Sequence, residues 1–355
     1  MNTRTIRVVV VDDSMLVRQW LRDLLAEAED IDVIGEAASG RQAVEVVAAL
    51  RPDLVTMDLE MPGMGGLEAI ETIMCSKAVP ILVVTSVSDA RVAMEAMQRG
   101  ALDVIEKPDT SPESVEQLIA KVRLLSGVTV VTRMRPGHAT HWATRPVMTP
   151  EVGTLQTFPR LFAIASSMGG PQALARILPE LPAGFSCPVV IAQHISDGFA
   201  PGLVEWLSSL CVLPVRLAVD GESLQAGTIY ISPSESHFTI SPARRVALMS
   251  RTIGDIYRPS CDLLLQSVAD CFGPRAVGII LTGMGNDGAE GIVRILDKGG
   301  LTLAQDEATS LIFGMNQMAI RTGSVQRVLP VEAIASEMIR LAHAPVSNRA
   351  GVEKP

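Results

Sequence analysis

Aromatic side chains make up only 3% of this 355-residue chain, cysteine occurs five times, and apolar residues, though 48% of the total, are broken into short runs. Each shortage excludes something. With no run of about eighteen apolar residues, no membrane-spanning helix is predicted. The N-terminus, MNTRTIRVVVVDDS, has too short a valine run before Asp12 and Asp13 to serve as a signal-peptide core, so cytoplasm is the expected location. Cys75, Cys187, Cys211, Cys261 and Cys271 show no C-x-x-C or metal-ligand spacing and read as reduced core residues. The formal charge is −9 with no Lys/Arg cluster, which argues against nucleic-acid binding. No G-x-x-x-x-G-K-[ST] loop is present, which argues against a P-loop nucleotide-binding domain.

What is present is alternation. From residue 7 to 125 short apolar runs alternate with amphipathic segments at a βα spacing, and five βα units imply a doubly wound parallel sheet. Strands are predicted at Arg7 to Val11, Ile31 to Ala37, Leu54 to Met57, Pro80 to Val84 and Asp103 to Ile105, with helices between them, the third over Met64 to Met74. Polar residues fall where strands end. Asp12 and Asp13 follow the first strand, Asp58 the third, Thr85 the fourth and Lys107 the fifth. Carboxylates gathered at one rim repel unless a cation intervenes, and hard oxygen donors suit Mg²⁺. Asp58 is then placed to attack a phosphoryl group whose oxygens are neutralised by Mg²⁺, Lys107 and the Thr85 hydroxyl.

This half resembles a response-regulator receiver domain, through Asp12-Asp13, the segment from Asp53 to Gly66, Val84-Thr85-Ser86 and Lys107-Pro108. The resemblance implies a flavodoxin-like fold with Asp58 as phosphoacceptor. It further implies that Asp13, Asp58 and the Glu60 carbonyl hold Mg²⁺, that Asp12 assists, and that Thr85 and Lys107 sense the phosphoryl group. Val104 stands at a switch position that is often aromatic in the family.

Domain boundaries are expected at 1–125 for the receiver, 126–158 for a linker rich in Pro and Gly, 159–345 for a second domain, and 346–355 for a flexible tail. His138 and His141 in the linker read as solvated.

In the second half, the run Phe162 to Ala165 ends in Ser166-Ser167, followed by Gly169-Gly170 and a helical segment. Strand, tight turn and helix lift a hydroxyl to the end of a sheet, a position that suits a nucleophile. Two more apolar runs end in Gln193-His194 and in Thr282-Gly-Met-Gly-Asn-Asp287-Gly288. At the carboxyl ends of parallel strands Ser167, His194 and Asp287 can converge as nucleophile, base and orienting carboxylate. The order Ser, His, Asp, and the absence of G-x-S-x-G, argue against an α/β-hydrolase. Ser166 is a rival nucleophile, but its spacing to the glycines favours Ser167. His237 reads as a satisfied buried histidine, and Arg258 either faces an acidic substrate or pairs with Asp262 at i, i+4.

From Arg160 to about 343 the chain resembles the catalytic domain of the chemotaxis-type protein-glutamate methylesterases. The carrying segments are Ser167-Met-Gly-Gly170, Ala192-Gln-His194, Tyr230-Ile-Ser-Pro233, Arg258-Pro-Ser260 with Asp262, Leu281 to Gly288, and Phe313-Gly-Met315. The resemblance implies a Rossmann-like hydrolase that removes methyl groups from chemoreceptor glutamates as methanol and deamidates receptor glutamines. Ser167, His194 and Asp287 are its implied triad and the Met284 N–H its oxyanion donor. No cofactor is implied for the ester step, and no insertion into the membrane. A chemotaxis-type histidine kinase is the implied phosphodonor, and the unphosphorylated receiver is expected to cover the site. The alternative is a phosphorylation-gated adaptor with a weak or inactive hydrolase domain. Ala165 and Met168 stand where the family commonly has glycine and threonine, and Ala165 is expected to restrict the turn. Asn316 stands where proline is frequent and is expected to matter little.

Overall fold

The computed structural model describes residues 5–86, 90–130, 158–252, 255 and 257–346. The chain divides into two compact units between His141 and Trp142. His138, His141 and the expected tail from residue 347 onward lie outside the described residues, as does most of the expected linker.

In the first unit β1 (Ile6–Val11), α1 (Met15–Ala26), β2 (Ile31–Ala37), α2 (Gly40–Leu50), β3 (Leu54–Met57), α3 (Gly66–Ser76), β4 (Ile81–Thr85), α4 (Ala90–Arg99), β5 (Asp103–Glu106) and α5 (Pro112–Leu125) follow in sequence. The sheet is parallel, in the order β2-β1-β3-β4-β5. Val8 to Val11 and Leu54 to Met57 are buried throughout, as strands covered by helices on both faces must be. The third helix starts at Gly66, two residues later than its apolar period predicts. Gly66 packs its backbone against the Asp58 carbonyl and donates its N–H to Leu59 O at 3.2 Å, leaving Pro62 to Gly65 as a turn. Strand order reverses between β1 and β3, so Asp12 and Asp58 flank the crevice where such sheets bind ligands.

The second unit comprises β6 (Leu161–Ser166), α6 (Gly170–Ile177), β7 (Val189–Gln193), α7 (Ala200–Leu210), β8 (Val215–Leu217), β9 (Ile229–Ile231), β10 (Ser236–Ile240), β11 (Val246–Ser250), α8 (Cys261–Phe272), β12 (Ala276–Ile280), α9 (Ala289–Asp297), β13 (Leu301–Gln305), α10 (Met315–Arg321), β14 (Arg327–Leu329) and α11 (Val331–His343). Its seven-stranded parallel sheet runs β14-β13-β12-β6-β7-β9-β8, and β10 and β11 form a separate antiparallel ribbon. Two doubly wound parallel-sheet units are therefore present, as the sequence predicts. The chain builds outward from β6 to β8, then returns to place β12 on its other side. The switch point is thus at β6, whose six residues are all buried.

Candidate active site and acceptor site

Register explains how the three residues of the second unit meet. Ser166 pairs with Gln193 across β6 and β7, while Ala165 pairs with Ile280 across β6 and β12. The ladder continues one step beyond the strands: His194 donates its N–H to Ser166 O at 2.9 Å, and Ser167 donates its N–H to Thr282 O at 3.1 Å. Ser167, His194 and the loop leading to Asp287 therefore leave the sheet side by side.

Two glycines permit this closeness. A Cβ on Gly170 would collide with Gln193 Oε1 and lie 2.9 Å from Ser166 Cβ; one on Gly283 would lie 2.6 Å from Ser167 Cβ. Gln193, quoted above only as part of a motif, acts as a clamp: Ser166 Oγ donates to its Oε1 at 2.7 Å, and its Nε2 donates to the carbonyls of Ser167 and His194, both at 2.8 Å. The Ser166 hydroxyl is thereby buried and occupied. That of Ser167 has no hydrogen-bond partner among the described residues, so no Ser167–His194 bond is formed in this structure. Such bonds are often long or absent until substrate binds.

His194 Nε2 lies 2.8 Å from Asp287 Oδ2. The buried Asp287 carboxylate also accepts the N–H of Cys261 at 2.6 Å and of Asp262 at 2.8 Å, and the Ser260 hydroxyl at 3.1 Å. Those two amides open α8, so Asp287 satisfies donors that a helix start leaves without partners. Burial by itself raises the Asp287 carboxyl, but the His194 contact and the α8 amides outweigh it and hold the group below its ordinary value. Neighbouring Asp262 moves the other way. Burial, with the Asp287 charge adding to it, pushes Asp262 up to about 6 against the Gly291 N–H it accepts.

Two side chains against the pair, and one buried elsewhere in the unit, have contacts the sequence reading did not supply. The Tyr257 ring stacks on His194, centroids 5.3 Å apart and planes 11° from parallel, and its hydroxyl donates to Asn286 Oδ1 at 2.7 Å. Cys261, read as a core residue, is fully buried, yet its Sγ lies 3.5 Å from His194 Nε2. Asn316 is buried and donates to Gln305 O and Ser310 Oγ, both at 3.0 Å, bonds a proline there could not make. The only sequence signal for Tyr257 and Cys261 was that they flank Arg258-Pro-Ser260. For Asn316 it was a polar residue within an apolar helix segment.

Other expectations are settled by position. Ala165 lies inside β6, buried, with its methyl 3.4 Å from where a Gly288 Cβ would sit, on the loop that carries Asp287. His237 is buried with both ring nitrogens engaged, Nε2 by Asp255 at 2.9 Å and Nδ1 by the Ser260 N–H at 3.0 Å. The i, i+4 pairing of Arg258 with Asp262 is not formed: Arg258 Nε donates to Asp255 O, while Asp262 Oδ1 turns toward Gly291 at the start of α9. The Met284 N–H has no partner among the described residues, and its side chain is exposed.

In the first unit Lys107 Nζ lies 2.8 Å from Asp12 Oδ2 and 3.1 Å from Asp58 Oδ2, and Leu59 donates its N–H to Asp58 Oδ1 at 2.8 Å. Asp12, Asp13 and Asp58 offer carboxylate oxygens within 4.8 Å of one another, a set of hard donors that fits Mg²⁺. Burial, with Asp12 adding to it, raises Asp58 from its ordinary value despite Lys107. Burial works against the Lys107 ammonium, yet its two carboxylate partners raise it. Thr85 is buried at the end of β4 and its carbonyl accepts the Lys107 N–H at 2.9 Å. Glu60 is exposed two residues beyond Asp58, and Val104 is buried in β5.

Fold and sites define a response regulator whose output unit is a parallel-sheet domain with Ser167, His194 and Asp287 gathered at its switch point. The response regulator receiver domain model matches residues 8–122, and the CheB methylesterase model matches 162–338. The protein-glutamate methylesterase/protein-glutamine glutaminase 3 of Paramagnetospirillum magneticum is 52% identical over 347 residues, covering 96% of this chain and 97% of that protein. A protein-glutamate methylesterase/protein-glutamine glutaminase of Pyrococcus abyssi is 35% identical, covering 95% and 94%. The crystal structure of the Thermotoga maritima CheB methylesterase catalytic domain superposes with a TM-score of 0.50 at 34% identity, covering 52% of this chain and all of that one. The chain belongs to the CheB methylesterase family. No helix among the described residues is long and apolar enough to cross a membrane.

Proposed function

We propose that this protein hydrolyses glutamate methyl esters on chemoreceptors, releasing methanol, and deamidates receptor glutamines, with phosphorylation of Asp58 raising the rate. The observation that carries the reading is the His194–Asp287 bond beside Ser167 at the switch point of the second sheet. Because Asp287 accepts from Nε2, the hydrogen-bond pattern assigns the proton of neutral His194 to that nitrogen and leaves the Nδ1 lone pair for chemistry. Nδ1 takes the Ser167 proton as Oγ bonds to the ester carbonyl carbon. The oxyanion is met by the Met284 N–H. When the tetrahedral species collapses, the bond to the methoxy oxygen breaks and that oxygen takes the proton from Nδ1, leaving as methanol. Water then adds to the acyl-enzyme, giving its proton to Nδ1, and Ser167 recovers a proton as the glutamate carboxylate departs. A receptor glutamine follows the same course with ammonia as leaving group. No cofactor enters these steps.

In the receiver, Asp12, Asp13, Asp58 and the Glu60 carbonyl would hold Mg²⁺, which when bound neutralises phosphoryl oxygens. Asp58 accepts the phosphoryl group from a chemotaxis-type histidine kinase. Lys107, held between Asp12 and Asp58, is in reach of a phosphoryl oxygen on Asp58, and Thr85 supplies a hydroxyl at the neighbouring strand end.

Methanol release from methylated chemoreceptor membranes, with and without a small phosphodonor and Mg²⁺, tests both halves. Release that is stimulated by the donor, absent in Ser167→Ala and no longer stimulated in Asp58→Asn is expected. Undiminished release by Ser167→Ala would remove the triad.

A further inference from the structure

The hydrolysis makes no use of the Cys261 thiol, although its sulfur faces the His194–Asp287 bond from the start of α8. Cys261 Sγ lies 3.5 Å from His194 Nε2, Asp287 Oδ2 lies 2.8 Å from the same nitrogen, and the three ligand atoms fall within 4.8 Å of one another. Thiolate, imidazole and carboxylate are the donors that Zn²⁺ takes in tetrahedral sites, at about 2.3 Å from sulfur and about 2.0 to 2.2 Å from nitrogen and oxygen. A tetrahedron with those bonds spaces its corners about 3.3 to 3.6 Å apart. The sulfur–nitrogen edge already has this length. The nitrogen–oxygen edge is short by about half an ångström, as a hydrogen bond must be where a metal is to replace the shared proton. Among the described residues the other three-residue cluster of this kind is Asp12, Asp13 and Asp58, all oxygen donors. The two clusters thus differ in chemistry: hard in the receiver, mixed and borderline-soft in the hydrolase.

We propose that His194, Cys261 and Asp287 form a Zn²⁺ site that switches the hydrolase off. Binding releases the thiol proton to solvent and moves the ring proton from Nε2 to Nδ1, so that a neutral imidazole binds through Nε2, and a water completes the tetrahedron. Entry is from the His194 side: that side chain is 14% exposed, whereas Asp287 is 2% and Cys261 fully buried. A divalent ion on Nε2 fixes the ring, takes the Asp287 charge for itself and leaves Nδ1 protonated, without a lone pair to take the Ser167 proton. The site itself stands on the three side chains alone. Its inhibitory effect rests on the triad reading above.

The test separates the two. Full-length protein with its receiver saturated with Mg²⁺ is titrated with Co²⁺, and the thiolate-to-cobalt charge-transfer band is followed. A band that saturates at one equivalent, is displaced by Zn²⁺, survives in Ser167→Ala and is lost in Cys261→Val is expected; Cys261→Ala repeats the measurement if the valine variant does not fold. No band in the parent, or a band that persists in both Cys261 variants, overturns the site. In parallel, Zn²⁺ is expected to abolish methanol release and a chelator to restore it. Metal that binds without slowing release overturns the switch. A normal band in a parent that releases no methanol even without Zn²⁺ supports the metal site and counts against the triad reading.

Discussion

Asp287 reaches His194 through Nε2, at 2.8 Å, and not through Nδ1. The imidazole is thus turned about relative to a chymotrypsin-type triad, in which the carboxylate holds Nδ1 and Nε2 does the proton transfer. The two ring nitrogens have similar basicity, so the chemistry survives the exchange. What changes is that the carboxylate is set by the start of α8, through Ser260, Cys261 and Asp262.

Asp287→Asn with its amide nitrogen toward His194 keeps the Oδ1 acceptor for Asp262 and Ser260, leaves the Cys261 N–H without its own, and offers His194 an N–H, which moves the ring proton to Nδ1 and removes the base. Hydrolysis is expected to fall by about 10⁴-fold, the loss that follows when the carboxylate of a serine protease triad becomes an amide. Single-turnover methanol release checks this, with circular dichroism to show that the fold is kept. A variant as fast as its parent would take Asp287 out of the mechanism.

Gly283→Ala puts a methyl against Met315 Sδ and 2.6 Å from Ser167 Cβ. Overpacking of this kind costs about 1 to 3 kcal/mol. Denaturant unfolding of the variant should show that loss, and kcat should fall as the Ser167 backbone is pushed from its place. Unchanged stability and unchanged kcat together would mean that the turn has room the structure denies it.

Lys107→Met leaves the buried Asp12 and Asp58 carboxylates facing each other without their cation. Removing one partner of a buried ionic cluster is strongly destabilising, and a metal that binds only the folded state recovers stability by mass action. The variant should therefore have a lower Tm than the parent without Mg²⁺ and gain more from Mg²⁺. Melting curves across a Mg²⁺ titration decide it; an equal response in both proteins counts against the shared acidic site.

Asp262 carries the pH prediction. Its folded value of about 6 stands above its ordinary 3.8, so between roughly pH 4 and 6 the folded state keeps a proton that the unfolded chain has lost, and stability declines as pH rises through that window. Asp287, shifted down, contributes in the opposite sense: its stabilisation is present above 3.8 and is lost as pH falls through its folded value. Asp262→Asn removes the first effect and keeps the second, while its amide oxygen still accepts from Gly291. The variant should match its parent near pH 4 and be the more stable above pH 6. Thermal melts at both pH values measure the difference, and a gap that does not grow with pH refutes the assignment.

Much of this molecule was legible in the chain itself because strand ends are local events. An apolar run of β-branched residues halted by a charged or glycine-rich turn marks the place, and Leu54 to Met57 before Asp58 is found as predicted, residue for residue. The carboxyl ends of such runs supplied Asp12, Asp58, Lys107, Ser167, His194 and Asp287, since parallel strands deliver their following residues to one rim. Periodicity tells which face of an element is apolar; it does not tell what arrives across it. Gln193 had to come alongside from β7 to occupy the Ser166 hydroxyl, and β12 had to insert beside β6 before Asp287 could meet α8. Only that docking brings the Cys261 thiol and the Tyr257 ring against His194, 67 and 63 residues distant along the chain. The choice of ring nitrogen, the free hydroxyl and the candidate metal cluster all follow from contacts between elements far apart in sequence, which packing alone decides.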